Sequence, residues 1–363
     1  VLAVLAGAGG LIKDGGGTLV LTTNTYSGTT IVTNGTLRLE SSYSSALFST
    51  STNGVLELYV PGGTMNYSSA TFTGAGVLRK PGGGTALWPA TAATFSMDSG
   101  SMIDVQGGEL VGGSNANEVW TVSKSDLNIA AGAVFSGVEA NVRVDALTGY
   151  GTLSSGYTGA GYANFAFGVD NGSGTFNGIV QNGNAAGNFI KEGAGTQVLA
   201  GANTYTGITV VRNGALTLSG PRTGNSGTIT VADTAGQSAT LNILNGTIAL
   251  GANQFNVGNA TVTAVTGTVN QAGGAVSFTS GNALLVGQNN VANLGIYNLS
   301  GGSITTFASA NRGVMLGVNT GAKGGRFNLS GTGVLNMTAA SGGGGDAALQ
   351  VGRYDSAANN TTN

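Results

Sequence analysis

The side chains able to do chemistry are few in this sequence, and their spacing restricts what they can do. Fifteen carboxylates are spread over 363 residues, and there is no histidine and no cysteine. The commonest general base and metal ligand is therefore missing, together with thiolate nucleophiles and the usual zinc sites. Paired carboxylates would suit glycoside hydrolysis, and Asp98 and Asp104 share a face if the chain between them is extended. Six residues of strand would hold them about 20 Å apart. The reaction works across roughly 5 to 9.5 Å, so both read as solvated turn acids. Gly342-Gly343-Gly344-Gly345-Asp346 matches part of a calcium-binding nonapeptide, but such sites need tandem copies around one ion, and a single copy reads as a corner. The stretch Gly7 to Gly10 lacks the helix and the Lys-Ser/Thr of a phosphate loop. Tyr26 and Tyr205 hold equivalent places and are expected to pack onto a neighbouring coil rather than form a sugar platform. No catalytic, cofactor or metal site is predicted.

The elements that carry these residues read as strands. Short alternating runs such as Thr18-Leu19-Val20-Leu21 and Thr228-Ile229-Thr230-Val231 are bounded by Gly, Asn and other small residues. Glycine fills 66 positions, a density at which helix interiors are disfavoured by about 1 kcal/mol at each Gly. With 41% hydrophobic and 8% charged residues, the chain has the composition of a folded protein rather than a disordered one. The 13 basic residues are dispersed, so no nucleic-acid partner is expected. The apolar run Val1 to Ile12 is too short to span a bilayer, which takes about 20 residues, and reads as a first strand rather than a signal-peptide remnant, so no membrane insertion of this segment is expected.

Internal repetition is the most informative feature. A Lys-x-Gly-(Gly/Ala)-Gly-Thr element occurs at Lys13 to Thr18, Lys80 to Thr85 and Lys191 to Thr196. In the first and last copies the match continues. Lys13, Gly15 and Gly17 lead to Asn24 and Tyr26 and then to Asn34-Gly35, while Lys191, Gly193 and Gly195 lead to Asn203 and Tyr205 and then to Asn213-Gly214. The middle copy departs from the pattern at Trp88-Pro89. These residues resemble the autotransporter-associated β-strand repeat. The resemblance implies a right-handed parallel β-helix in large, secreted bacterial surface proteins, which usually carry an outer-membrane barrel or a sorting anchor. Neither is read in this sequence, which leaves the route to the surface open.

A second repeat style follows a seam at Ser219-Gly220-Pro221-Arg222, which sets expected domains of 1–218 and 219–363. Val/Leu-Gly recurs at Val257-Gly258, Val286-Gly287, Leu316-Gly317 and Val351-Gly352, and Asn-(Leu/Gln)-(Ser/Ala)-Gly recurs at Asn270, Asn298 and Asn328. The period is close to 30 residues.

A short strand with one apolar face cannot bury it alone, so coils must stack. The expected fold is an all-β solenoid of roughly 12 to 18 coils without substantial helix, about 55 to 90 Å long at the spacing of paired strands. Aliphatic ladders should fill the interior, with Leu21, Leu199, Leu299 and Leu329 facing inward. Asn24, Asn203, Asn270, Asn298 and Asn328 are either rungs of amide ladders or local turn formers. Gly35 and Gly214 supply the positive φ of tight corners. The function expected is that of a non-enzymatic extracellular scaffold or adhesin, stacking end to end with itself or continuing in the same polypeptide, with surface glycans as a further partner class. Two alternatives stay open: a polysaccharide-acting enzyme of the pectate-lyase-like kind, and a glycan-binding adhesin.

Overall fold

The computed structural model describes residues 4–89, 93–112, 119–137, 140–155, 164–223, 226–259, 264–279, 284–288, 293–308, 313–317, 324–339 and 349–351. Among these the regular structure is strand throughout, and successive strands pair in parallel, each lying over its equivalent one coil earlier. The chain is a parallel β-solenoid. It divides into two compact units, Val1–Asn188 and Phe189–Asn363.

In the first unit, alternation places every second residue inward. Along one arm of the coil, Leu37, Leu56, Leu78, Ile103, Leu127 and Leu147 stack in register as the expected aliphatic column, each at most 2% exposed. A neighbouring arm departs from that expectation, because its column is aromatic. Phe48, Phe72 and Phe95 pair in register and stack with centroids 5.5 and 5.4 Å apart. Trp120 then lies flat on Phe95 at 4.0 Å. Tyr43 stacks on Tyr67 at 5.1 Å beside them, and the Trp88 Nε1–H donates to Tyr43 Oη at 2.7 Å. Aromatic rings bury about 150 to 250 Å² each, so this column contributes more burial per coil than leucines would.

In the second unit the coil lengthens along the chain. Leu216 pairs with Leu241, Val269, Tyr297 and Phe327 in succession. The neighbouring asparagine column steps by 25, 28, 28 and 30 residues. Leu21, Leu199 and Leu299 face the interior at 1%, 0% and 0% exposure. Leu329 does not follow. It lies over Leu299 in the same column but is 54% exposed, because no strand of the described residues pairs beyond its own.

The Val/Leu-Gly signature has a steric origin. Gly258, Gly287 and Gly317 have φ of +67°, +70° and +66°, in the left-handed region. A Cβ on Gly258 would sit 2.5 Å from Leu294 O, and one on Gly295 would sit 2.4 Å from Gly287 N. Gly267, Gly295 and Gly325 therefore face the first set across a glycine seam that runs from coil to coil and admits no side chain.

Candidate functional site

The repeat lysines build the corners. The strand Leu11–Lys13 ends on a side chain that turns back into its own loop, and Lys13 Nζ donates to Gly15 O at 2.6 Å, Asp14 O at 3.3 Å and Asn34 O of the next coil at 2.9 Å. Lys80 Nζ does the same with Pro81 O, Gly82 O and Gly107 O at 3.1, 3.0 and 2.9 Å. Lys191 Nζ repeats the pattern with Glu192 O, Gly193 O at 2.8 Å and Asn213 O at 3.4 Å. All three lysines are buried. Each ammonium donates to carbonyls of its own turn and of the next corner, and it ties two consecutive corners together.

The glycines of the motif follow from this geometry. Gly15, Gly82 and Gly193, two residues after each lysine, have positive φ. Gly35, Gly108 and Gly214 start the next corner so close that a Cβ would come within 2.4, 2.1 and 2.4 Å of a carbonyl in the loop below. Gly17 and Gly195 lie in those loops, and Gly17 O and Gly195 O are among the carbonyls approached.

Tyr26 and Tyr205 are buried, and their hydroxyls pair with Thr30 Oγ1 at 2.7 Å and Thr209 Oγ1 at 2.9 Å. Burial raises the Tyr26 hydroxyl above its ordinary value, partly offset by Thr30. They pack, as expected, and are not exposed sugar platforms. Asn203 is a turn former, donating from Nδ2 to Gly201 O at 3.0 Å. Asn24 is buried, and neither of its side-chain polar atoms is hydrogen-bonded among the described residues.

The other asparagines form the ladder. Asn328 donates to Asn298 at 2.7 Å, Asn298 to Asn270 at 2.8 Å, Asn270 to Asn242 at 3.0 Å, and Asn242 to Thr217 Oγ1 at 3.1 Å. A second ladder in the first unit joins Asn188, Asn164 and Asn141 at 3.0 Å per step.

A charged ladder was not anticipated from the sequence. Arg38, Glu57, Arg79, Asp104 and Asn128 occupy one register column. Arg38 Nε donates to Glu57 Oε2 at 2.7 Å, Arg79 reaches Glu57 at 3.4 Å and Asp104 at 3.0 Å, and Asn128 donates to Asp104 Oδ1 at 2.9 Å. The Glu57 hydrogen bond raises Arg38 above its ordinary value. Asp104 is thus 5% exposed and fully partnered, not a solvated turn acid. A turn at Asp98, whose carbonyl accepts the Ser101 N–H at 3.1 Å, breaks the extension that would have put Asp98 on the same face. The signal lay in apolar-charged-apolar triplets, Leu37-Arg38-Leu39, Leu56-Glu57-Leu58 and Ile103-Asp104-Val105.

A further group of acids lines one corner. Asp126 Oδ1 accepts the Ala146 N–H at 2.9 Å, and Asp145 Oδ1 accepts the Asp170 and Gly172 N–H groups at 2.8 Å each. Burial pushes the Asp126 carboxyl up, the Ala146 amide opposes this, and the charge of Asp145 adds to it. Asp170 is held below the ordinary carboxylate range by hydrogen bonds from Ser99 and Lys124. Asp126 and Asp145 cap amides of the following coil and are occupied by that task. No group of three or more His, Cys, Asp or Glu among the described residues could hold a metal ion. Asp346 and its preceding glycines lie outside the described residues.

Against this geometry, a family model described as the passenger-associated-transport-repeat matches residues 11–39 and 189–218. Those are the segments capped by Lys13 and Lys191, and the chain carries two repeats of the autotransporter-associated type, whose family implies a secreted or surface-exposed protein. No curated protein and no solved structure matches the chain.

Proposed function

We propose that this chain, a parallel β-solenoid carrying two passenger-associated-transport repeats, serves as a non-enzymatic structural and adhesive segment of a protein on the bacterial surface. The observation that carries the reading is the disposition of its polar side chains. Glu57, Asp104, Asp126, Asp145 and the repeat lysines are committed to neighbouring coils, and the asparagines to each other. Catalysis on a polysaccharide needs an acid and a base converging on a substrate and poised to exchange protons. Here the same residue types are spent on stacking. Fold alone would not decide this, since parallel β-helices also host enzymes.

Adhesion and end-to-end assembly belong to the same reading. A solenoid edge offers backbone groups that pair readily with another strand.

The test has two arms. The purified chain is incubated with a panel of acidic and neutral polysaccharides, and new reducing ends and unsaturated uronates are followed. The proposal expects none above a heat-treated control. Turnover that disappears in Glu57→Gln or Asp104→Asn would replace it with the enzymatic alternative. Binding of the folded chain to a glycan array or to intact cells, retained in those two variants, supports adhesion.

A further inference from the structure

We propose that Asn245 is a site of spontaneous deamidation, at which one solenoid corner converts a neutral amide into aspartate and isoaspartate. The sequence offers several Asn-Gly pairs, and the structure separates them. At Asn245 the Gly246 N–H donates to the asparagine's own Oδ1 at 2.7 Å. Oδ1 is bonded to Cγ at about 1.2 Å, so the nitrogen lies within about 4 Å of the carbon it attacks, near the separations of reacting atoms in well-oriented intramolecular reactions. Asn245 is exposed to water, and Gly246, at φ +88°, has no Cβ to hinder the approach.

The step balances with water as the only co-reactant. Gly246 N loses its proton to solvent and bonds to Cγ, and the Cγ–Nδ2 bond breaks as Nδ2 takes a proton from water and leaves as ammonia. Water then opens the five-membered imide. Opening at Cγ leaves aspartate, and opening at the backbone carbonyl leaves isoaspartate, with the chain routed through the side-chain carbon.

Three other Asn-Gly pairs lack this arrangement. The Gly172 amide is held by Asp145 Oδ1 at 2.8 Å and the Gly183 amide by Ser155 O at 2.5 Å. Asn53-Gly54 lies within the strand Leu47–Leu58. Asn213 shares the contact, with Gly214 N on its Oδ1 at 2.8 Å. Its carbonyl, however, is capped by Lys191 Nζ at 3.4 Å, which ties that corner to the one before it. That corner resists the rearrangement the imide requires.

At Asn245 the product has a structural consequence. Isoaspartate lengthens the backbone by one atom, and the corner above has little room for it, since a Cβ on Gly274 would already sit 2.6 Å from Gly246 O and 3.0 Å from Asn245 C. A lengthened, negatively charged corner therefore loosens the stacking of the coil that follows, so the chain carries a slow one-way clock at this position.

The folded full chain is aged at mildly alkaline pH and physiological temperature, and peptide mass spectrometry follows isoaspartate at each Asn-Gly pair. Asn245 should convert several-fold faster than Asn53, Asn171 and Asn182. Equal or slower conversion at Asn245 overturns the proposal. Limited proteolysis near residue 245 should rise with isoaspartate content in the parent and stay flat in Asn245→Gln, whose longer side chain disfavours the five-membered ring. A parallel rise in that variant overturns the structural consequence.

Discussion

Asn298 donates its side-chain amide to Asn270 Oδ1 at 2.8 Å, and Asn270 passes the same bond on to Asn242 at 3.0 Å. The donors all point one way along the stack, so an interior rung both gives and accepts a bond. Replacing Asn298 by Ala removes two ladder bonds and leaves Asn270 and Asn328 each short of a partner. The expected cost is about 1 to 3 kcal/mol. Asn328→Ala at the exposed end breaks one bond and should cost less. Chemical denaturation of both variants checks the order, and equal costs would contradict a ladder.

Lys80 tests the corner. Replacing it by Met removes an ammonium donor shared by three carbonyls, at an expected cost of about 1 to 3 kcal/mol. Burial also pushes the Lys80 ammonium down to about 8 from its ordinary value of 10.5. Between those values the unfolded chain binds more protons than the folded one, so stability rises with pH across that window and falls as pH drops through about 8. Midpoints measured between pH 7 and 10.5 should climb in the parent, and this part of the slope should vanish in Lys80→Met.

Ala232 stands where the later coils have glycine. It follows Val231 as Gly258 follows Val257, and its φ is +63°. Left-handed backbone costs a residue with a Cβ about 1 to 2 kcal/mol, while glycine adds roughly 0.4 to 1 kcal/mol of unfolded-state entropy. Ala232→Gly should therefore stabilise modestly, by up to about 1 kcal/mol. A clear loss in thermal midpoint would mean that the buried methyl outweighs the strain.

Arg222 is 1% exposed, lies 4.2 Å over the Tyr205 ring, and has no hydrogen-bond partner on any of its three nitrogens among the described residues. The ring contact is worth about 2 kcal/mol when desolvated. Burying an ion costs several kcal/mol, so the second effect wins. Arg222→Met, of similar length and apolar, should be as stable as the parent or more so by about 1 to 4 kcal/mol. A denaturation midpoint well below the parent's would reverse that balance.

Much of the architecture was legible because a solenoid writes its geometry as repetition. Lys13 and Lys191, with Gly15, Gly193, Gly35 and Gly214, mark corners because one steric and hydrogen-bonding problem recurs at each. Asn270, Asn298 and Asn328 were readable as equivalent positions for the same reason, though repetition alone left rungs and local turn formers both open. The charged column was not, since Arg38, Glu57, Arg79 and Asp104 differ in type and their spacing drifts through 19, 22 and 25 residues. What repeats there is alternation of sign, which a search for identical residues passes over. The aromatic column of the first unit was hidden by similar substitution, Phe95 being followed by Trp120. Leu329 shows another limit: sequence places a residue in a column but does not say whether anything covers it.

The glycine seam of the second unit fixes one side of each coil at backbone contact, with Gly267 against Gly258 and Gly295 against Gly287. Growth from 25 to 30 residues per turn must therefore be absorbed elsewhere on the circumference. Insertions that spare the seam should be tolerated as ornament on the opposite arms, whereas a single methyl at Gly295 would shear the register of everything stacked after it.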